Sequence, residues 1–258
     1  MSTIGNWRGV NIIKQGLVLY LDPGSPNSFY NKSNTTIRDI SGNTNNGTLT
    51  NFGSQTIYDS GSGGSIVFDG TNDFIDLGTT LNSVTIGSAF SIDIWFSTSI
   101  ALPNGLNYYG LISNYTGTGG DKGFQLFWGG TDSFYAYGSG YLSQCLGNIT
   151  SLTPNAWYNI TFVYTRNTSG RIYLNGIDKT FTSYNNTVNT PVNNLKIGIR
   201  SDSNTLAWNG KISSTKIYNR ALTAQEVLQN YNATKSRFSD FWNDGFTWDD
   251  NTVWIDNY

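Results

Sequence analysis

Apolar positions fall in short runs along this chain, about one every 8 to 15 residues, and clusters of Gly, Asn and Ser separate them. Such spacing predicts many short strands. The clearest are Gly16–Asp22, Gly64–Asp69, Asp73–Leu77, Phe90–Thr98, Tyr109–Tyr115, Gly123–Trp128, Ser133–Tyr137, Ala156–Arg166, Arg171–Asn175, Ile177–Thr182, Asn194–Ser201 and Lys211–Tyr218. Alternation supports them. Phe90, Ile92, Ile94 and Phe96 share one face of their strand, and Ser91, Asp93 and Trp95 the other. Tyr158, Ile160, Phe162 and Tyr164 likewise share a face. A period of two means a sheet with one face buried against a second sheet. Asn175-Gly176 between two runs predicts a two-residue hairpin, because a type I′ turn needs positive φ at both central residues.

One segment has helical character, Ala221–Asn232. Thr223 and Glu226 form a Thr-x-x-Glu capping box, Leu222 is placed to staple against Val227, and Val227, Leu228 and Tyr231 make an apolar stripe. The expected architecture is all-β: a jelly-roll sandwich of two curved antiparallel sheets with one short C-terminal helix.

Composition removes several chemistries. The 258 residues include no His and one Cys, and Glu226 is the single Glu. A Ser-His-Asp triad, an imidazole metal site, a disulfide framework and a glycosidase built on two glutamates are therefore excluded. The formal net charge of −2, with few and scattered Lys and Arg, argues against a nucleic-acid binder. No run approaches the roughly 18 apolar residues of a membrane span. The apolar run 16–21 is short and ends in an Asp-Pro-Gly turn, which does not read as a secretory signal and predicts synthesis without export by that route.

Several motifs, in order, resemble the laminin G-like, concanavalin A-like lectin/glucanase superfamily across about residues 16–232. They are the run Asp39-Ile40-Ser41-Gly42-Asn43-Thr44-Asn45-Asn46-Gly47, Phe68-Asp69-Gly70-Thr71-Asn72-Asp73-Phe74-Ile75, the strand Phe90–Phe96, Trp157–Tyr164 with Ile172-Tyr173-Leu174-Asn175-Gly176, and Gly210 through Tyr218-Asn219-Arg220-Ala221-Leu222-Thr223 to Glu226. The resemblance implies the sandwich and a choice among sugar-binding, adhesive and glucanase functions. The glucanase branch needs Glu-x-Asp-x-Glu on one strand, and Ser91-Ile92-Asp93-Ile94-Trp95 lacks both glutamates. The chain also resembles domains of this type in virion proteins of tailed phages, through its Asn/Gly/Thr richness, scarce Cys and His, and aromatic ends.

Sugar sites on such sandwiches use aromatic faces with polar neighbours. Trp128, Asp132, Tyr135 and Tyr137 surround one loop, and Trp208 sits near the closing strand. The alternative is that these rings are core or rim packing. The resemblance also admits calcium, for which Asp22, Asp39, Asp69 and Asp73 are the candidate ligands, against the alternative that they serve turns. An acid–base pair built from Asp69 and Asp73, or from Asp249 and Asp250, is the remaining enzymatic route. Residues 238–258 hold five Asp, no Lys or Arg, and seven aromatics. The composition predicts a partner-docking segment anchored by Phe241, Trp242, Phe246, Trp248 and Trp254. The chain thus divides into an arm (1–15), a sandwich (16–237) and a docking segment (238–258). The expected function is a non-enzymatic virion structural protein that displays a lectin-like domain toward surface glycans. Its partners would be other virion proteins or copies of itself, with no required cofactor. A free carbohydrate-binding module is the alternative.

Overall fold

A half-buried strand has to bury its apolar face, and a chain of many such strands solves this with two stacked sheets. The computed structural model describes residues 11–238 apart from 31–34, 54–56, 103–107, 118–119, 130–132, 139, 146–151, 184–186 and 204–205. Within them the strands are β1 (Leu17–Leu21), β2 (Thr36–Ile37), β3 (Gly47–Thr50), β4 (Tyr58–Asp59), β5 (Ser65–Asp69), β6 (Phe74–Asp76), β7 (Ala89–Thr98), β8 (Tyr109–Ser113), β9 (Gln125–Gly129), β10 (Ser133–Gly138), β11 (Gly140–Cys145), β12 (Trp157–Thr165), β13 (Ser169–Leu174), β14 (Ile177–Asp178), β15 (Thr180–Ser183), β16 (Lys196–Ile197) and β17 (Asn209–Tyr218). A one-turn helix α1 (Asn82–Thr85) precedes β7, and α2 (Ala224–Thr234) follows β17. The first sheet runs β14-β13-β12-β7-β17-β5-β4, with β1 also paired to β17. The second runs β15-β11-β10-β9-β8-β16-β6-β3-β2. All the pairings are antiparallel.

The core lies between the sheets. Phe90, Ile92, Ile94 and Phe96 of β7 and Ile160, Phe162 and Tyr164 of β12 meet Ile75, Ile112, Leu126, Trp128, Phe134 and Ile197 from the second sheet. The foreseen alternation therefore holds, and so does the hairpin: Asn175 and Gly176 have φ of 52° and 77°. Two differences have local causes. In the predicted strand Asn194–Ser201 continuous pairing is confined to β16, with a single further bridge from Ile199 to Ala207, because Gly198 takes φ +88° with the Phe68 ring where a side chain would stand. Strand β11 escaped notice because its sequence, GYLSQC, sets two apolar residues side by side without alternation.

The polar face of β7 is buried as well, which the period of two does not predict. Asp93, Thr161 and Lys216 stand opposite one another on β7, β12 and β17. Lys216 Nζ lies 2.9 Å from Asp93 Oδ1 and the Thr161 hydroxyl donates to Oδ2 at 2.9 Å, with both charged side chains essentially without solvent. Above this row lie α2 and the turn after it. Trp95 stacks on Tyr231 and on Phe238, with ring centroids 5.7 and 4.1 Å apart, and donates from Nε1 to Thr234. Ser91 Oγ donates to the Arg220 carbonyl and accepts from the Leu222 amide, which fixes the entry to the helix.

The capping box is formed as expected, and Leu222 packs in one cluster with Val227. Leu228 is exposed, so the stripe is narrower than predicted. Glu226 also takes a two-pronged ion pair from Arg220 at 2.7 and 2.8 Å. That pair, with the Thr223 amide, holds its carboxyl down at about 2 against an ordinary 4.5. The domain limits shift too. Phe238 is buried against Trp95 and Trp157, and residues 11–15 lie on α2, where Ile13 N donates to Asn230. Phe241, Trp242, Phe246, Trp248 and Trp254 lie outside the described residues.

Two stability predictions follow from these contacts. Lys216→Met strands a buried carboxylate and is expected to cost about 3–5 kcal/mol, whereas the double variant Asp93→Leu/Lys216→Met recovers most of it. Chemical denaturation of the three proteins checks this, and equal losses in both variants would show that the charge is not the cause. Glu226→Ala is expected to cost about 0.5–2 kcal/mol near neutral pH. Because the folded-state pKa is depressed, that contribution is complete above about 4.5 and is lost as pH falls toward 2. Melting curves of wild type and variant should therefore converge in acid.

Candidate functional site

The first sheet's outer face is sealed over β7 and β12 by α2. Ser91, Asp93 and Trp95 on that face are all buried. The second sheet's outer face carries the accessible polar groups. Its registers set Thr36, Thr48, Asp76, Lys196, Ser113, Gln125 and Tyr137 in one row across seven neighbouring strands, with Ser113 and Gln125 buried.

Toward the β9–β10 end this face is aromatic. Tyr135 stacks on Phe127 at 5.4 Å, and the exposed Tyr108 leans on Phe127 at 5.7 Å. Tyr137 and Tyr115 both donate to the Asp121 carboxylate, Tyr137 at 3.0 Å. Burial and that carboxylate push the Tyr115 phenol well above its ordinary range. Arg200 lies over the Tyr115 ring and is itself fixed by both oxygens of Asp202.

Toward the β3–β6 end there is a cleft of about 400 Å³ lined by Asn46, Thr48, Thr50, Asp76, Leu77, Gly78 and Asn194. Alternation places it: on β3 and β6, Leu49 and Ile75 enter the core, so Thr48, Thr50 and Asp76 must face out. Asp76 Oδ1 accepts from Gly78 N at 2.8 Å, and both its oxygens accept from Asn194 Nδ2 at 3.0 Å. Among the described residues Asp76 has no ion-pair partner. The nearest cation in the row, Lys196, sits instead over the Phe74 ring, 4.4 Å from its centroid.

The sequence-predicted residues divide. Trp128 and Trp208 are corrections: each is 1% exposed, Trp128 edge-on to Phe134 and Trp208 bonded to the Ser97 carbonyl, so neither offers a face to a sugar. Trp128 points inward because it shares parity with the core residue Leu126 on β9. Tyr135 and Tyr137 do face out, Tyr135 largely covered. Asp132 lies outside the described residues. The calcium candidates hold turns and strands. Asp22 takes Arg237 and the Tyr20 hydroxyl; burial alone would raise its pKa, and Arg237 brings it below the ordinary value. Asp39 accepts from the amides of Tyr20, Ser41 and Asn45. Asp69 accepts from Thr71 N, and the fully buried Asp73 from Asp69 N. Among the described residues no group of three or more His, Cys, Asp or Glu gathers. The cleft residues are not among the sequence-predicted site residues, although Thr48-Leu49-Thr50 alternates, Asp76 falls in the predicted strand Asp73–Leu77 and Asn46 belongs to the Asn/Gly loop.

A family model described as the concanavalin A-like lectin/glucanases superfamily matches residues 69–228, more than half of the chain. The chain belongs to this superfamily. Solved structures share the superfamily fold at low identity. Domain 4 of AbnA, an extracellular arabinanase of family GH43 from Geobacillus stearothermophilus solved with arabinotriose, is 17% identical with a TM-score of 0.58. The match covers 83% of this chain and 98% of that one. A Trypanosoma rangeli sialidase is 16% identical with a TM-score of 0.61, covering 87% of this chain and 34% of the sialidase. The binding domain of botulinum neurotoxin serotype G is 21% identical with a TM-score of 0.55, covering 83% and 50%. This chain thus spans about a third of the length of the sialidase and half of that of the toxin domain. No curated protein matches it in sequence.

Trp128→Ala is expected to cost about 3–5 kcal/mol as a core truncation. Thermal melting beside a binding assay checks this: a variant with unchanged stability and lost binding would return Trp128 to the surface.

Proposed function

We propose that this chain is a non-enzymatic, lectin-like domain that binds surface glycans and serves as a virion structural protein, a capsid decoration, fibre or tail appendage. The observation that carries glycan binding is the cleft on the open face of the second sheet, where hydroxyls, amides and one carboxylate converge beside Leu77 and Gly78. These are the groups that exchange hydrogen bonds with sugar hydroxyls. A non-catalytic role is supported by the commitments of the acids: Glu226 to a cap and to Arg220, and the buried Asp73 to a turn in which it accepts from the Asp69 amide. Asp249 and Asp250 lie outside the described residues. The virion assignment rests on the sequence, with residues 239–258 as the segment that attaches to partner proteins.

A second reading, a carbohydrate-binding module accompanying an enzyme, is favoured by the end-to-end match to an arabinanase domain that was solved with arabinotriose.

A glycan array with the purified chain tests binding, and recovery of the chain from purified particles tests the virion role. Truncation after Phe238 is expected to keep the melting temperature and the glycan binding while particle recovery is lost. A chain that binds no glycan sinks the lectin reading. One that binds glycans but never accompanies particles leaves the second reading in its place.

A further inference from the structure

The cleft on the second sheet has a charge character that its outline alone does not convey. Among the described residues it is lined by one carboxylate and by no cationic side chain. Lys196, whose backbone stands opposite Asp76, holds its ammonium over Phe74. Asp76 is held in place by neutral donors only, Gly78 N on Oδ1 and Asn194 Nδ2 on both oxygens. A carboxylate offers about four acceptor sites, so these contacts orient Asp76 without exhausting it. Asn46 has its carbonyl oxygen engaged by Asp39 N at 2.9 Å, which leaves its N–H groups to donate. The Thr48 side chain is exposed at the mouth. Leu77 and Gly78 supply apolar wall, and among the described residues no aromatic ring lines the cleft.

Resting on the glycan-binding reading above, we infer that this cleft takes a neutral sugar, read by Asp76 accepting a hydroxyl proton, and rejects glycans bearing carboxylate, sulfate or phosphate. A hydroxyl donor completes the acceptor site left open on Asp76, on Oδ2. An anionic substituent meets the Asp76 charge with no cation among the described lining residues to receive it, the Lys196 ammonium being held over Phe74. Without a stacking ring, selectivity comes from hydrogen bonds to hydroxyls, and loss of one such hydroxyl leaves a polar group of the site unpaired. At about 400 Å³ the cleft lies near the low end of ligand pockets, about 300–1,000 Å³, which suits a terminal or short internal stretch of a glycan.

The test uses the full chain and matched probes: lactose against 3′-sialyllactose, and galactotriose against trigalacturonate, extended to the array hits and their acidic derivatives. Neutral probes are expected to bind about 10-fold or more tighter than their acidic partners, the scale of one charge-assisted hydrogen bond. Asp76→Asn is expected to weaken neutral binding about 10-fold and to narrow the gap to the acidic partner. Thr48→Val, at an exposed position, should weaken neutral binding without moving the melting temperature. Acidic glycans binding as well as neutral ones, or both variants binding like wild type, would overturn this inference and leave the lectin reading standing. Binding that disappears with a calcium chelator would also overturn it, since Asp76 would then act through a cation. Failure of every glycan probe would remove the lectin reading and this inference together.

Discussion

Strand β7 has no face open to water, and most of the molecule is arranged around that constraint. Its apolar side chains enter the core between the sheets. Its polar ones, Ser91, Asp93 and Trp95, lie under α2. A carboxylate in that position needs a counter-charge and further donors, because an unpaired buried charge costs several kcal/mol. Antiparallel register delivers them: Lys216 from one neighbouring strand and Thr161 from the other. Tyr20 of β1 stands opposite Lys216 and places its ring 5.4 Å from the ammonium. The row fixes the register of four strands at once, since a slip by one residue would bring an apolar side chain opposite the charge.

The helix depends on the same strand. Its entry is bonded to Ser91 and its end to Trp95, whose ring is stacked between Tyr231 and Phe238. Arg237 carries the attachment further, to Asp22 and to the Gly64 carbonyl. Helix and turn thus close the first sheet from outside. The consequence for function is an asymmetry. The outer face of the first sheet over β7 and β12 is structural, and the open polar groups lie on the outer face of the second.

On that second sheet the exposed chemistry is graded. Tyrosines tied to Asp121 occupy the β9–β10 end, and hydroxyls, amides and Asp76 occupy the β3–β6 end. With strands about 4.8 Å apart, Asp76 and Tyr137 are separated by four strand steps, roughly 19 Å. The two ends are therefore distinct surfaces of one sheet. The cleft has the polar groups, and the tyrosine end has the apolar area that sugar rings also favour. Repetition of such a domain on a particle would raise avidity without any new contact.

Much of this was legible in the sequence. The alternation over Phe90–Phe96 and Tyr158–Tyr164, the Asn175-Gly176 turn and the Thr223/Glu226 cap are local patterns, set by backbone geometry within a few residues, and the structure contains each of them. The ordered motifs were enough for the superfamily. Parity along a strand was also present in the sequence, but its sign was not: Trp128 and Tyr135 look alike beside their loop, and only the packing of two sheets sends one to the core and the other outward. The burial of Asp93 is equally non-local, since Lys216 is 123 residues away. The cleft is assembled from segments around residues 46–50, 76–78 and 194, which no window along the chain contains. Local sequence determined the strands, the turn and the cap. Tertiary structure alone decided which face of each strand meets water, because that depends on what the rest of the chain lays over it.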